Sequence, residues 1–239
     1  MKYEIGIDEV GRGPIAGPVA VGAFLFLDEK ARRQFKSVKE SKQLSEAKRE
    51  EWFALIEEHK KKGLLDFAVS FQGEKVIDSK GISFAIKKAL KESLEKVCRN
   101  LRPSHSNGLE FKGSRGHLGL RGSQKCSAGS NAKLTRLKLP NFENSNDESV
   151  SVLLDGGLKA PLEFINQETI IKGDEKIQVI ALASICAKVL RDRKMIKLGK
   201  KHRQYGFERH KGYGTKEHYM AIRKHGILGA HRRSFLRGL

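Results

Sequence analysis

Residues Val19–Leu27 form an uninterrupted apolar run of nine, rich in Val and Phe. A run of that length and composition is a strand buried on both faces, so it needs cover on both sides. Upstream, Tyr3, Ile5 and Ile7 alternate with Lys2, Glu4 and Gly6, a period-two strand that the pattern ends at Asp8. Gly11-Arg12-Gly13-Pro14 punctuates the chain as a turn. Helical spacing follows over Ser45–Lys62, where Ser45 is an N-cap and Trp52, Leu55, Ile56 and His59 recur at intervals of three or four. Leu65–Phe71 reads as a strand, and Ile82 to about Asn100 as an amphipathic helix. Val150–Leu154 reads as a strand ending at Asp155-Gly156-Gly157. Ile177–Val179 fits a short strand or a loop, Ala181 to about Leu198 fits a helix, and Thr215 caps a shorter helix to Lys224. Strands alternating with helices indicate an α/β or α+β sheet domain.

Charge narrows the partners. The 239 residues carry 47 Lys and Arg against 28 Asp and Glu, a net +19. Such an excess favours polyanions, nucleic acid first and an anionic membrane surface next. Residues 188–239 hold 16 basic and 3 acidic side chains, whereas residues 150–187 hold 3 and 5. No apolar stretch approaches the roughly twenty residues of a membrane span. The opening Met-Lys-Tyr-Glu-Ile-Gly-Ile-Asp lacks the apolar core of a signal peptide. Cys98, Cys126 and Cys186 are odd in number and widely spaced. A reduced, cytoplasmic chain without a disulfide framework is therefore expected. Residues 101–149, with six glycines, eight serines and no periodicity, read as a long loop or insertion.

Four carboxylates stand where acidic groups are costly: Asp8 and Glu9 close one strand, Asp155 closes another, and Asp174 follows the apolar pair Ile170-Ile171. Carboxylates brought together repel unless protonated or held by cations, and oxygen-only ligand sets suit Mg²⁺ or Mn²⁺. Two such ions about 3.5–4 Å apart serve phosphodiester chemistry. Strand neighbours point to opposite faces, so Asp8 and Glu9 share a site only if the strand ends there and Val10-Gly11 redirects the chain.

The run Gly6-Ile7-Asp8-Glu9-Val10-Gly11-Arg12-Gly13-Pro14-Ile15-Ala16-Gly17-Pro18-Val19 resembles the opening of type 2 ribonucleases H (ribonuclease HII). Further matches follow in the family's order: Glu40–Ser45, Leu153–Gly156, Lys172-Gly173-Asp174, Ala183–Val189 with Arg191-Asp192, Tyr205–Phe207, His210–Thr215 and His231–Phe235. Glu40 and Gln43 stand where the family often has Asp and Lys. The resemblance implies an RNase H-like α/β fold, a mixed central sheet flanked by helices with a helical C-terminal portion. The catalytic domain would span residues 1–200 and the basic helical portion 201–239, completing the substrate site. The implied activity is endonucleolytic cleavage of RNA in RNA–DNA hybrids and of ribonucleotides embedded in duplex DNA. It is expected of a monomer using two Mg²⁺ or Mn²⁺ ions. The family's metal-binding carboxylates map onto Asp8, Glu9, Asp155 and Asp174, its ribose-sensing loop onto Gly11, Arg12 and Gly13, and its sugar-stacking tyrosine onto Tyr213. The Gly-Arg-Gly loop, and a chain opening directly on its first strand, favour type 2 over the type 3 relatives.

Other residues stay open at this point. Ser41 and Lys42 either hold a phosphate or form a polar helix entry, and Ser184 either contacts nucleic acid or packs as a small helix residue. Asp192 is expected to pair with Arg191 or Arg193. The histidines after residue 200 lack metal spacing, and His210 and His231 are expected at the surface or beside phosphates. Cys186 is expected in the core. The insertion either widens the nucleic-acid footprint or is a passive loop. Two other readings are a hybrid-binding module without catalysis, which would lack the carboxylate set, and a ribosome-associated basic protein, which would leave Asp8–Pro18 unexplained.

Overall fold

A computed structural model describes residues 3–38, 44–101 and 150–236. Ser41, Lys42 and nearly all of 101–149 lie outside the described residues. Five strands form one mixed sheet: β1 (Tyr3–Val10), β2 (Val19–Phe26), β3 (Leu65–Gln72), β4 (Val150–Asp155) and β5 (Gln167–Ile170). Their spatial order is β3-β2-β1-β4-β5. β1–β2 and β2–β3 are antiparallel, while β1–β4 and β4–β5 are parallel. β2 is buried along its whole length, as its unbroken apolar sequence requires.

The sheet has two apolar faces. Ile5, Ile7, Val21, Leu25 and Leu154 pack toward α4 (Ile82–Cys98) and the shorter α3 (Glu74–Lys80). Phe24, Phe26 and Phe67 pack on the other face against α1 (Glu29–Gln34), α2 (Glu46–Lys61) and the long α6 (Gln178–Lys201). α2 begins where expected, with the Ser45 side chain accepting from the Lys48 amide, but it buries Phe53, Ile56 and His59. Trp52 and Leu55 are only partly buried. α1, α3 and β5 have too few residues to show a period, and the sequence pattern did not mark them. Ile177 is neither strand nor loop but the N-cap of α6.

Two glycines let α6 lie close on the sheet. A Cβ on Gly6 would stand 2.2 Å from the Val179 carbonyl carbon, and one on Gly22 would stand 2.4 Å from the Ala183 oxygen. Beyond α6, α7 (Phe207–His210) and α8 (Lys216–His225) enclose a third core. Met195, Tyr205, Phe207, Ile222 and Leu236 meet Ile15 and Ala16 there. His231 belongs to this interior, 1% exposed, and not to the surface. His210 is half-buried, its ring stacked on that of His218 with centroids 4.2 Å apart. Aromatic walls formed by Tyr205 and Phe207 make a dry place for imidazoles. Cys186 is core, as expected.

Candidate active site

Strand register assembles the carboxylates. Pairing of Ile7 with Leu154 brings the ends of β1 and β4 side by side, so Asp8 and Asp155 become neighbours. Asp155 pairs in turn with Ile170 of β5, and the chain then enters the short helix α5 (Gly173–Lys176), which carries Asp174. Asp155 Oδ1 accepts from the Gly173 amide at 2.7 Å, which ties the two loops together. Asp8 is 5% exposed and Asp174 3%.

β1 does not stop at Asp8. It continues to Val10, with Glu9 paired to Val21. Asp8 and Glu9 nevertheless both border one open hollow of about 250 Å³, because they lie at the rim of the sheet. Asp155, Ser184, Lys188, Tyr213 and the Gly11–Arg12–Gly13 loop complete its wall. Asp174 sits just behind it, close enough for its charge to act on Asp8.

Burial pushes the Asp8 carboxyl from 3.8 up to about 8; a hydrogen bond from Ser184 opposes this, and the charges of Glu9, Asp155 and Asp174 add to it. Ser184, 1% exposed in the wall of the hollow, is more than a packing residue: it donates to Asp8. Lys188 follows one helical turn later on the same face of α6, and its Nζ lies 3.0 Å from the Asp192 carboxylate. Asp192 therefore forms its close ion pair with Lys188, while its charge also acts on buried Arg191, and Arg193 bonds Glu50 instead. The Ser184–Lys188 spacing could have flagged Lys188 from sequence.

Around the hollow, Gly11 turns the chain at φ 88° and Arg12 reaches Glu9 at 3.8 Å while its side chain stays 65% exposed. Tyr213, 46% exposed, follows Lys211 and Gly212, both at positive φ. A Cβ on Gly212 would meet the Ala16 oxygen at 2.4 Å, so the tyrosine loop lies directly against the chain that leaves Gly13. Arg191 and Arg232 are fully buried under this junction. The Nη1 and Nη2 atoms of Arg191 have no hydrogen-bond partner among the described residues. Among the described cations after residue 187, Arg191 and Arg232 are therefore internal, and the pattern of sequence charge could not separate them from the rest.

The donor set fits a hard divalent cation. It is made of oxygens alone, and a cation would offset both the burial that chiefly raises the Asp8 pKa and the neighbouring negative charges that add to it. Among the described residues no three acidic, histidine or cysteine side chains are drawn into one coordination shell.

The ribonuclease HII family model matches residues 5–107 and 150–237. The chain belongs to the ribonuclease HII family. It is 35% identical over 237 residues to the ribonuclease HII of Clostridioides difficile, covering 99% of this chain and 71% of that one. It is 35% identical over 235 residues to that of Bacillus mycoides, covering 98% and 69%. Solved structures share the fold. The ribonuclease HII of a PCNA complex from Archaeoglobus fulgidus superposes with a TM-score of 0.61 at 22% identity, over 99% of this chain and 95% of that one. Bst-RNase HIII in complex with Mn²⁺ superposes with a TM-score of 0.60 at 17% identity, over 98% and 64%. Family membership makes the protein a ribonuclease H, a metal-dependent hydrolase of a family that acts on RNA–DNA hybrids.

Proposed function

We propose that the protein cuts on the 5′ side of ribonucleotides embedded in duplex DNA, and within the RNA strand of longer hybrids, leaving 3′-hydroxyl and 5′-phosphate ends. The observation that carries this reading is that Asp8, Glu9, Asp155 and the Gly11–Arg12–Gly13 loop open on the same hollow, with Tyr213 in its wall. At a given nucleotide only the 2′-hydroxyl separates RNA from DNA. A loop with glycines on both sides of Arg12 lets backbone amides approach that hydroxyl. The half-exposed Tyr213 ring offers a face to the neighbouring sugar.

Asp8, Glu9, Asp155 and Asp174 would hold two Mg²⁺ or Mn²⁺ ions, which when bound supply activation of the attacking water and charge neutralisation at the leaving oxygen. Ser184 orients the Asp8 carboxylate through its hydroxyl. Arg12 leans toward Glu9 and remains free to fork onto a phosphate. A second hollow shares Arg12 and is edged by Ser83, Lys87 and Lys159, so cations continue along the surface for a duplex backbone. As part of the same reading the protein acts as a cytoplasmic monomer, in keeping with its buried free thiols at Cys98 and Cys186.

Incubation with a DNA duplex carrying one ribonucleotide tests the proposal. Cleavage at the 5′ side is expected in Mg²⁺ or Mn²⁺, and intact substrate in both, with folded protein at low salt, refutes it. Asp8→Asn should abolish cutting and leave duplex binding largely unchanged.

A further inference from the structure

Two elements of the hollow, the Gly11–Arg12–Gly13 loop and Tyr213, come from opposite ends of the chain, yet a single dipeptide grips both from behind. Arg232 is fully buried. Its Nε donates to the Gly17 carbonyl at 2.8 Å, one Nη to the Arg12 carbonyl at 3.0 Å, and the other to the Gly11 carbonyl at 2.7 Å. In a trans peptide the N–H points away from the C=O. Holding the carbonyls of Gly11 and Arg12 therefore turns the amides of Arg12 and Gly13 away from the guanidinium, which is not part of the hollow's wall. Those amides are the donors that a ribose hydroxyl could meet.

The preceding residue, His231, works in the other direction. The Leu228 amide, which can only donate, gives its hydrogen to His231 Nδ1 at 2.8 Å. That nitrogen is then an acceptor, so the Leu228 carbonyl at 3.2 Å receives no proton from it. His231 must carry its hydrogen on Nε2, which donates to His218 Nε2 at 3.1 Å. His218 in turn carries its hydrogen on Nδ1 and donates to the Tyr213 carbonyl at 2.8 Å. One directed chain thus runs from Leu228 to Tyr213, and every tautomer in it is determined. The Tyr213 carbonyl also accepts from the Thr215 amide at 2.9 Å. Backbone bonds fix the dipeptide itself: Arg232 N to Ile15 O at 2.8 Å and Gly17 N to Ala230 O at 2.9 Å. Asp78 adds bonds from the Arg233 and Ser234 amides.

We propose that His231 and Arg232 are positioning residues that set the separation between the Gly11–Arg12–Gly13 amides and Tyr213, Arg232 acting on the loop carbonyls and His231 acting through His218. The proposal deepens the reading of this hollow as a ribose-recognition site and rests on it. Neither side chain touches substrate. Their effect is on how well a ribonucleotide is told from a deoxyribonucleotide and on the rate once bound, and not on grip of the duplex.

The test begins with the wild-type protein and needs no variant. Long-range ¹⁵N–¹H correlation spectra at pH 7 should show neutral His218 as the Nδ1–H form and neutral His231 as the Nε2–H form; any other assignment overturns the chain. Steady-state cleavage of a duplex with one ribonucleotide then compares Arg232→Lys, His231→Asn, His218→Asn and His218→Leu, each confirmed folded by its thermal transition. His231→Asn can still accept from Leu228 but cannot reach His218, and His218→Asn keeps a donor near the Tyr213 carbonyl. Losing an oriented hydrogen bond should lower kcat on the order of tenfold or more with KM little changed. His218→Asn should retain more activity than His218→Leu. Unchanged kcat in Arg232→Lys and His231→Asn, or a fall confined to KM, overturns the proposal. Arg12→Ala and Tyr213→Ala separate the two levels of the argument. If these lose ribose discrimination while the Arg232 and His231 variants keep it, the positioning role fails alone. If they too keep it, the ribose-site reading fails.

Discussion

Replacing Asp8 with Asn should make the cation-free protein more stable, by an amount that grows with pH. In the unfolded chain the Asp8 carboxyl titrates near 3.8, and in the fold near 8, because burial and the charges of Glu9, Asp155 and Asp174 disfavour its ionised form. Between these values the folded protein holds a proton that the unfolded chain has released. Stability therefore falls as pH rises, by about 1.4 kcal/mol per pH unit for this group. Asn has no proton to lose, so the advantage of Asp8→Asn should widen by roughly 4 kcal/mol from pH 5 to pH 8. Urea denaturation of both proteins in a chelator at pH 5, 6, 7 and 8 measures it. A saturating divalent cation should reverse the order, since ligand bound only to the folded state adds RT ln(1 + [L]/Kd). The site is then one that sacrifices intrinsic stability for charge density. A difference between the two proteins that stays flat with pH, in the absence of cations, refutes the reasoning.

Three other expectations concern the supports of the site. Burial lowers the His218 pKa from 6.5 to about 4, so the unfolded chain binds more protons between those values and stability should fall by roughly 3 kcal/mol as pH drops from 6.5 to 4; His218→Asn, measured by urea denaturation, should flatten that dependence. Lys188→Ala leaves Asp192, 4% exposed, without its 3.0 Å partner and should cost about 3 kcal/mol; adding Asp192→Ala should recover much of the loss in a double-mutant cycle. Gly212→Ala combines a φ of 88° with a 2.4 Å approach to the Ala16 oxygen; a loss on the order of 2 kcal/mol or more is expected in chemical denaturation, with cleavage rates reduced beyond what the folded fraction explains.

Long elements were legible in the sequence because their signals are local. β2 announces itself by nine apolar residues in a row, α2 by the Ser45 cap, and α8 by Thr215, whose side chain accepts from the His218 amide. α1, α3 and β5 were not legible: six, seven and four residues are too few for a period to show, and they form because larger surfaces need cover. The site residues with a motif of their own, from Asp8 to Gly13 and at Asp155, Asp174 and Tyr213, could be named from the chain alone. Ser184 could be named only as a candidate, and Lys188 only through its spacing from Ser184; the burial of Arg191, His231 and Arg232 could not be read at all, because a polar residue in a basic segment carries no mark of whether it will be buried.

By itself the sequence determined a sheet flanked by helices, a strongly basic C-terminal region, and an ordered set of motifs that placed the chain among the type 2 ribonucleases H. Only the tertiary structure decided which charges are tools and which are scaffolding. Register, a long-range property, set Asp8 beside Asp155 and brought Asp174 behind them. Packing buried Arg191 and Arg232 and drew His231, expected at the surface, into a directed hydrogen-bond chain with His218. Burial is the physical reason for the difference, because it fixes both the protonation state of a polar group and the partner it must find. It is also a property of the whole fold that no single stretch of chain records.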